Sequence, residues 1–168
     1  RLLRFMLNKF LYSILFISFF LFSQNVEVAV VTKNKGDVQY KKDISKQVTN
    51  KINLGLELYN KDLLITGNDG FIMFAYLDDG SLIKVHKDSK VYVGGDLKNN
   101  IINKEVNVED GFILFDIKKQ KDNEFKVVTP SSVASVKGTV FILEVTEFGD
   151  IFYGFEGEVE VINKESNR

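Results

Sequence analysis

Residues 125–145 read FKVVTPSSVASVKGTVFILEV, and the reading of this stretch decides the fold class. Phe125–Val128 is a run of strand formers, and Thr139–Val145 is a second run rich in β-branched and aromatic residues. Between them stand Gly138 and Pro130, the only proline of the chain. Proline has no N–H to give a ladder, so Pro130 belongs at a strand end, an edge or a bulge. A glycine caught inside an apolar run marks a bulge or a close backbone approach. The stretch therefore reads as two strands joined by a bend whose geometry Pro130 and Gly138 set.

Working outward, the same grammar recurs. FIMFAYLDDGSLIKV, residues 71–85, is a hairpin whose apolar arms flank Asp78, Asp79 and Gly80. Its first arm is apolar on both faces, which predicts a central strand between packed layers. Short strands are also expected over Val26–Val31, Asp37–Tyr40, Asp62–Thr66, Val91–Val93, Phe112–Ile117, Ile151–Phe155 and Glu158–Ile162. Leu54, Leu56 and Leu58 recur at period two, the mark of a half-buried strand. Residues 41–53 read as a polar loop, 96–107 as a weak strand or excursion around Ile101 and Ile102, and 118–123 as a solvated charged turn. A faint echo relates the order from Gly70 to that from Gly138, as stacked hairpins would. With no sustained helical period after Ser23, residues 24–168 are expected to form a single all-β domain of short antiparallel strands and hairpins. A sandwich and a short β-helix fit that pattern equally.

The chain has 168 residues, 45% of them hydrophobic and 27% charged, enough for a folded domain with a core. Fifteen Phe and six Tyr supply the large buried surface, and the absence of Cys excludes disulfides and thiolate chemistry. At the N-terminus, Arg1, Arg4 and Lys9 precede the uncharged run FLYSILFISFFLF, residues 10–22. Residues 1–23 are thus read as a secretory signal peptide, with the alternative of a retained membrane anchor over residues 10–31. As a helix the apolar run rises only about 20 Å, short of the roughly 30 Å hydrocarbon core. Removing Arg1, Arg4 and Lys9 from the 22 basic residues leaves 19 against 23 acidic ones, a net charge of −4. That balance gives no electrostatic reason to bind nucleic acid.

Reactive constellations are sparse. His86 is the only histidine, placed beside Lys84 on an outer strand face, and no His/Cys metal set can be assembled. Asp78 and Asp79 next to Gly80 read as turn geometry rather than a catalytic carboxylate pair. Ser131 and Ser132 have no evident base, Lys137 reads as solvated, and there is no Gly-rich phosphate loop. No catalytic, cofactor-binding or metal-binding residue is assigned, and a binding or sensing module is expected rather than an enzyme.

The order VVTPSSVASVKGT, residues 127–139, resembles the hallmark of the FecR domain, carried by Thr129, Pro130, Ala134, Val136, Lys137, Gly138 and Thr139. Lys137 stands where arginine is commoner in that pattern. Gly36-Asp37-Val38 resembles its opening strand and Asp62, Leu63, Ile65, Thr66 and Gly67 its "D-x-I-x-T-G" step. Asp79, Gly80 and Ser81 resemble its DGS turn, Gly111 marks the strand before the Thr-Pro segment, and Gly157-Glu158-Val159 resembles its closing strand. The resemblance implies an exported all-β domain of the periplasm or cell envelope whose partners are envelope proteins, and whose quoted motif residues are structural. In well-known members of that family the domain is the periplasmic part of a transmembrane regulator. Such a regulator hears from a siderophore-loaded outer-membrane transporter and controls an iron-uptake sigma factor. At most nine residues precede the apolar run here, so the sigma-factor contact is not carried over. The chain reads either as a stand-alone exported module or as the outer part of such a regulator.

Overall fold

The computed structural model describes residues 26–43, 47–98, 101–120 and 124–166. The expected signal segment, residues 1–23, lies outside them. Every regular element among the described residues is a strand, and no helix among them is long and apolar enough to cross a membrane. Residues 27–31, which an anchor reaching Val31 would need as helix, are strand instead, with Val28, Ala29 and Val31 buried in the core.

The strands run in chain order as β1 (Glu27–Lys35), β2 (Val38–Lys41), β3 (Glu57–Tyr59), β4 (Asp62–Thr66), β5 (Phe71–Tyr76), β6 (Leu82–Val85) and β7 (Ser89–Val93). They continue as β8 (Gly95–Lys98), β9 (Ile101–Asp116), β10 (Phe125–Val128), β11 (Ser132–Val136), β12 (Val140–Thr146), β13 (Gly149–Glu156) and β14 (Val159–Asn163). All of them join one hydrogen-bonded sheet that curls on itself.

The spine is β9, sixteen residues long, where a weak strand or excursion around Ile101 and Ile102 and a separate strand over Phe112–Ile117 were expected. Its first residues pair with β8, its middle lies between β7 and β10, its last six pair with β12, and the last four of these also pair with β6. One half of the sheet is therefore ordered β3-β1-β5-β6-β9-β12-β13 and the other β2-β4-β7-β9-β10-β11-β14. The strand changes halves at Gly111, where φ is +113° and a Cβ would lie 2.1 Å from Ser89 Oγ. Glycine alone accepts both that backbone and that approach. The Phe112 N–H then donates to Ser89 Oγ at 3.0 Å, which holds the bend.

This bend explains the one parallel register in an otherwise antiparallel sheet, Lys126–Val128 beside Glu105–Asn107. Parallel neighbours need a long crossover. Here the second half of β9 supplies most of it, by running through the opposite half before the chain returns. The two Gly-led hairpins that echo each other in sequence, β5-β6 and β12-β13, lie side by side with β9 between them. The architecture is thus nearer the sandwich alternative than the stacked rungs of a β-helix.

A single apolar core fills the curl. Alternation decides its membership: Ile72, Phe74 and Tyr76 of β5, Ile83 and Val85 of β6, and Ile113 and Phe115 of β9 all point inward. Phe125 of β10 meets the rings of Tyr76 and Phe115 edge-on, at centroid distances of 5.5 and 6.2 Å, and Phe115 stacks on Phe141 at 4.8 Å. The Phe125 contacts join the two halves.

Three further expectations are corrected. The Leu54–Leu58 run begins as a turn at Leu54-Gly55 and becomes strand only at Glu57: Leu54 is exposed, while Leu56 and Leu58 reach the core, the latter within β3. β5 is central in its half, but Phe71, Met73 and Ala75 stay half-buried, so no second layer among the described residues covers them. Between Pro130 and Gly138 lies a full strand, β11, where a simple bend was expected.

Candidate functional site

Three constructions stand out from the regular ladder, and the first is a buried charge. Ile102, Lys104, Val106 and Val108 occupy alternate positions of β9, so Lys104 points inward with its neighbours, and its side chain is 1% exposed. Its ammonium donates to Asp78 Oδ2 at 2.7 Å, Asp79 Oδ2 at 2.8 Å and Gln120 Oε1 at 3.2 Å. It also lies 5.6 Å from the centre of the Tyr76 ring. Burial pushes the Asp79 carboxyl up, but hydrogen bonds from Lys104, Gln120 and Ser81 outweigh that and hold it below its ordinary value. All three ammonium protons are used, so the cluster is a closed structural knot with no free base. The turn reading of Asp78 and Asp79 misses this second task, because their cation lies some 25 residues further on. Gln120, expected in a solvated turn, also belongs to the knot, donating to Asp79 Oδ2 at 2.6 Å.

The motif residues fall at two places. Asp79-Gly80-Ser81 and Gly138-Thr139 both close on residues 117–120. Ser81 Oγ accepts the Lys118 N–H at 3.0 Å, and Thr139 exchanges backbone bonds with Ile117. At Gly138 φ is +118°, and a Cβ would lie 2.9 Å from Lys119 Cα. Ala134 and Val136 are buried on β11, whereas Lys137 is exposed, 3.5 Å from Glu124.

Thr129 and Pro130 lie elsewhere, in the tight turn from β10 to β11. Thr129 Oγ1 accepts the Ser132 N–H at 2.8 Å and donates to Asp150 Oδ2 at 2.5 Å, and Ser131 Oγ donates to the same oxygen at 2.6 Å. The Lys164 ammonium donates to the Thr129 carbonyl. Asp150 of β13 and Lys164 beyond β14 thus clasp the corner. Sequence reasoning missed both, since a contact between residues 129 and 150 has no local signature. Asp62 plays a similar part on the opposite side. Fully buried, it accepts from Tyr40 Oη at 2.7 Å and from the backbone N–H groups of Tyr59 and Asp43 at 2.9 and 3.1 Å.

The third construction is an open edge. Among the described residues β13 pairs only with β12, so its far side offers a row of backbone groups with no partner strand there. Around it Phe148 is 92% exposed, Phe155 64%, Ile151 46% and Tyr153 45%. The other half ends in β14, which among the described residues pairs only with β11 and leaves Val161 and Ile162 exposed. At the opposite ends β3 and β2 are short, and β2 is extended by a bridge from Tyr40 to Thr49.

No constellation of reacting groups accompanies these features. His86 stands half-buried between the edges of the Phe71 and Phe112 rings, with burial and Lys84 lowering its pKa. No group of three His, Cys, Asp or Glu suited to a metal ion occurs among the described residues.

Comparison with known proteins gives one family. The model described as FecR protein matches residues 62–160, from the buried Asp62 through the Asp79–Ser81 turn and the Thr129–Pro130 corner to the start of β14. No curated protein and no solved structure matches the chain. Gly36-Asp37-Val38 falls outside the matched stretch, which nonetheless covers more than half of the sequence and contains the turn, the corner and the glycine bend. The chain belongs to the FecR family.

Proposed function

We propose that this chain is a non-enzymatic protein-binding module of the cell envelope, which docks a partner by adding a strand to an open sheet edge. One observation carries this reading: the sheet ends on a long strand, β13, with exposed apolar side chains and no neighbour on its far side among the described residues. Strand addition draws its affinity from main-chain hydrogen bonds, and such an edge offers them ready-made. Membership of a family of envelope signalling proteins supports the location and the regulatory role. The buried polar clusters support it too, because their donors and acceptors are spent on one another.

The test is capture from envelope extract with the purified chain as bait. A protein retained specifically is the expected result. A tight small-molecule ligand with no protein partner would end the proposal. Family membership also favours a second reading, the periplasmic part of a transmembrane sigma-factor regulator. Reading the DNA upstream of Arg1 separates the two: an in-frame helical domain supports the regulator, and a stop codon shortly before Met6 supports the stand-alone module.

A further inference from the structure

Natural sheets protect long edges with lysines, prolines or covering loops, because a bare edge pairs with any strand that approaches. β13 carries neither lysine nor proline, and its ladder runs regularly from Gly149 to Gly154 before Phe155 bulges out. The chain to either side of it carries charge of one sign. Between residues 140 and 163 there is no Lys or Arg, while Glu144, Glu147, Asp150, Glu156, Glu158 and Glu160 all lie there. Among the described residues none of the six is in an ion pair. Asp150 is occupied by the Thr129 and Ser131 hydroxyls, but the glutamates are not neutralised. Glu147 stands just before one end of β13, and Glu156, Glu158 and Glu160 stand at or beyond the other. Ile151–Phe155 carries no charged residue of its own, and Glu144 of neighbouring β12 accepts from Tyr153 Oη at 3.5 Å.

Resting on the docking reading above, we infer that the occupant of β13 is an extended segment of another protein with an uncharged, apolar centre and Lys or Arg at both ends. The charge distribution selects this occupant over a second copy of the chain. An antiparallel pair of β13 strands would set the Glu147 end of one copy against the Glu156–Glu160 end of the other, and a parallel pair would align like ends. Either way carboxylates face carboxylates across an exposed edge, which is unfavourable. The acidic ends thus protect the edge from self-association while leaving its backbone groups free. A basic-ended segment meets both requirements at once: its main chain completes the ladder, its centre packs on Ile151, Tyr153 and Phe155, and its cations answer the glutamates. Charge complementarity of this kind governs partner choice and the rate of encounter.

The test uses the full chain and three nine-residue peptides: KKVTVYVKK, its acidic counterpart EEVTVYVEE, and KKVTVYVKK N-methylated at alternate residues of its centre. The basic peptide is expected to bind at least tenfold more tightly than the other two, and progressively more weakly as salt rises, since exposed charges are screened beyond roughly 8 Å at physiological ionic strength. The triple variant Glu156→Lys, Glu158→Lys, Glu160→Lys should remove the preference between the charged peptides, since Glu147 still favours the basic one at the other end, and the corresponding triple Gln variant should weaken it. Equal binding of the N-methylated peptide would overturn strand addition. An unchanged preference in both triple variants, or tighter binding of the acidic peptide, would overturn the partner chemistry. If no peptide binds while envelope capture returns a protein whose binding is unaffected by Ile151→Lys, this inference fails and the protein-binding reading survives. If capture returns no protein, that reading fails as well.

Discussion

At the residue scale the most consequential side chain is Lys104, a buried cation with two carboxylates. Lys104→Met would leave Asp78 and Asp79 with little solvent and no counter-ion, a loss of about 3 kcal/mol. Urea unfolding should show it as a lower midpoint with unchanged slope, and adding Asp78→Asn and Asp79→Asn should recover much of the loss. The Asp79 carboxyl titrates below its ordinary value when folded, so its contribution is complete above the unfolded value near 4 and disappears as pH falls through the lower, folded value. An acid titration of stability should therefore be flatter in Asp79→Asn than in the unaltered chain over that window. Gly138 is the second such position. Gly138→Val places a branched side chain at φ +118°, with its Cβ against the Lys119 backbone, and should cost about 2 kcal/mol or more. A melting midpoint equal to wild type, together with lost partner binding, would instead make Gly138 part of a contact surface. Nothing around Gly138 in the sequence names Lys119 as the neighbour, and nothing around Asp78 names Lys104. Both pairings come from the β9 crossover.

At the element scale, the lesson lies in β11 and β9. SSVASV contains small and polar residues that resemble a loop in isolation, yet Ser132–Val136 is a strand because β10 and β14 flank it on both sides. Strand propensity is a weak guide where neighbours satisfy the backbone, which is why a bend was expected. The alternation Ile102-x-Lys104-x-Val106-x-Val108 was present all along, but a lysine at an inward position broke the apolar period and hid the strand. The corner between β10 and β11 depends on Asp150, whose carboxylate takes two hydroxyl protons. Asp150→Ala removes the acceptor of both hydroxyls and should lower stability by about 1–3 kcal/mol. Amide hydrogen exchange checks the location: the Ser131 and Ser132 amides should lose protection while those of β5 and β6 keep theirs.

At the scale of the whole molecule, one core joins both halves through Phe125, which touches Tyr76 and Phe115 across the curl. Phe125→Ala opens a cavity at that junction and should cost about 3–5 kcal/mol. Because the core is shared, the transition should stay cooperative, with near-UV and far-UV circular dichroism giving one midpoint. Two separated midpoints would mean that the halves are independent. The sequence by itself determined the all-β class, the tight hairpin at Asp78–Gly80, most strand positions and the family, because alternation and turn residues are local signals. Only the tertiary structure decided that β9 bends at Gly111 to serve both halves, that Lys104 is buried on Asp78 and Asp79, and that β13 is left as an open acidic-ended edge. Those features depend on which strands become neighbours. In a sheet that choice is made by packing and charge between residues far apart in the chain, where no local pattern records it.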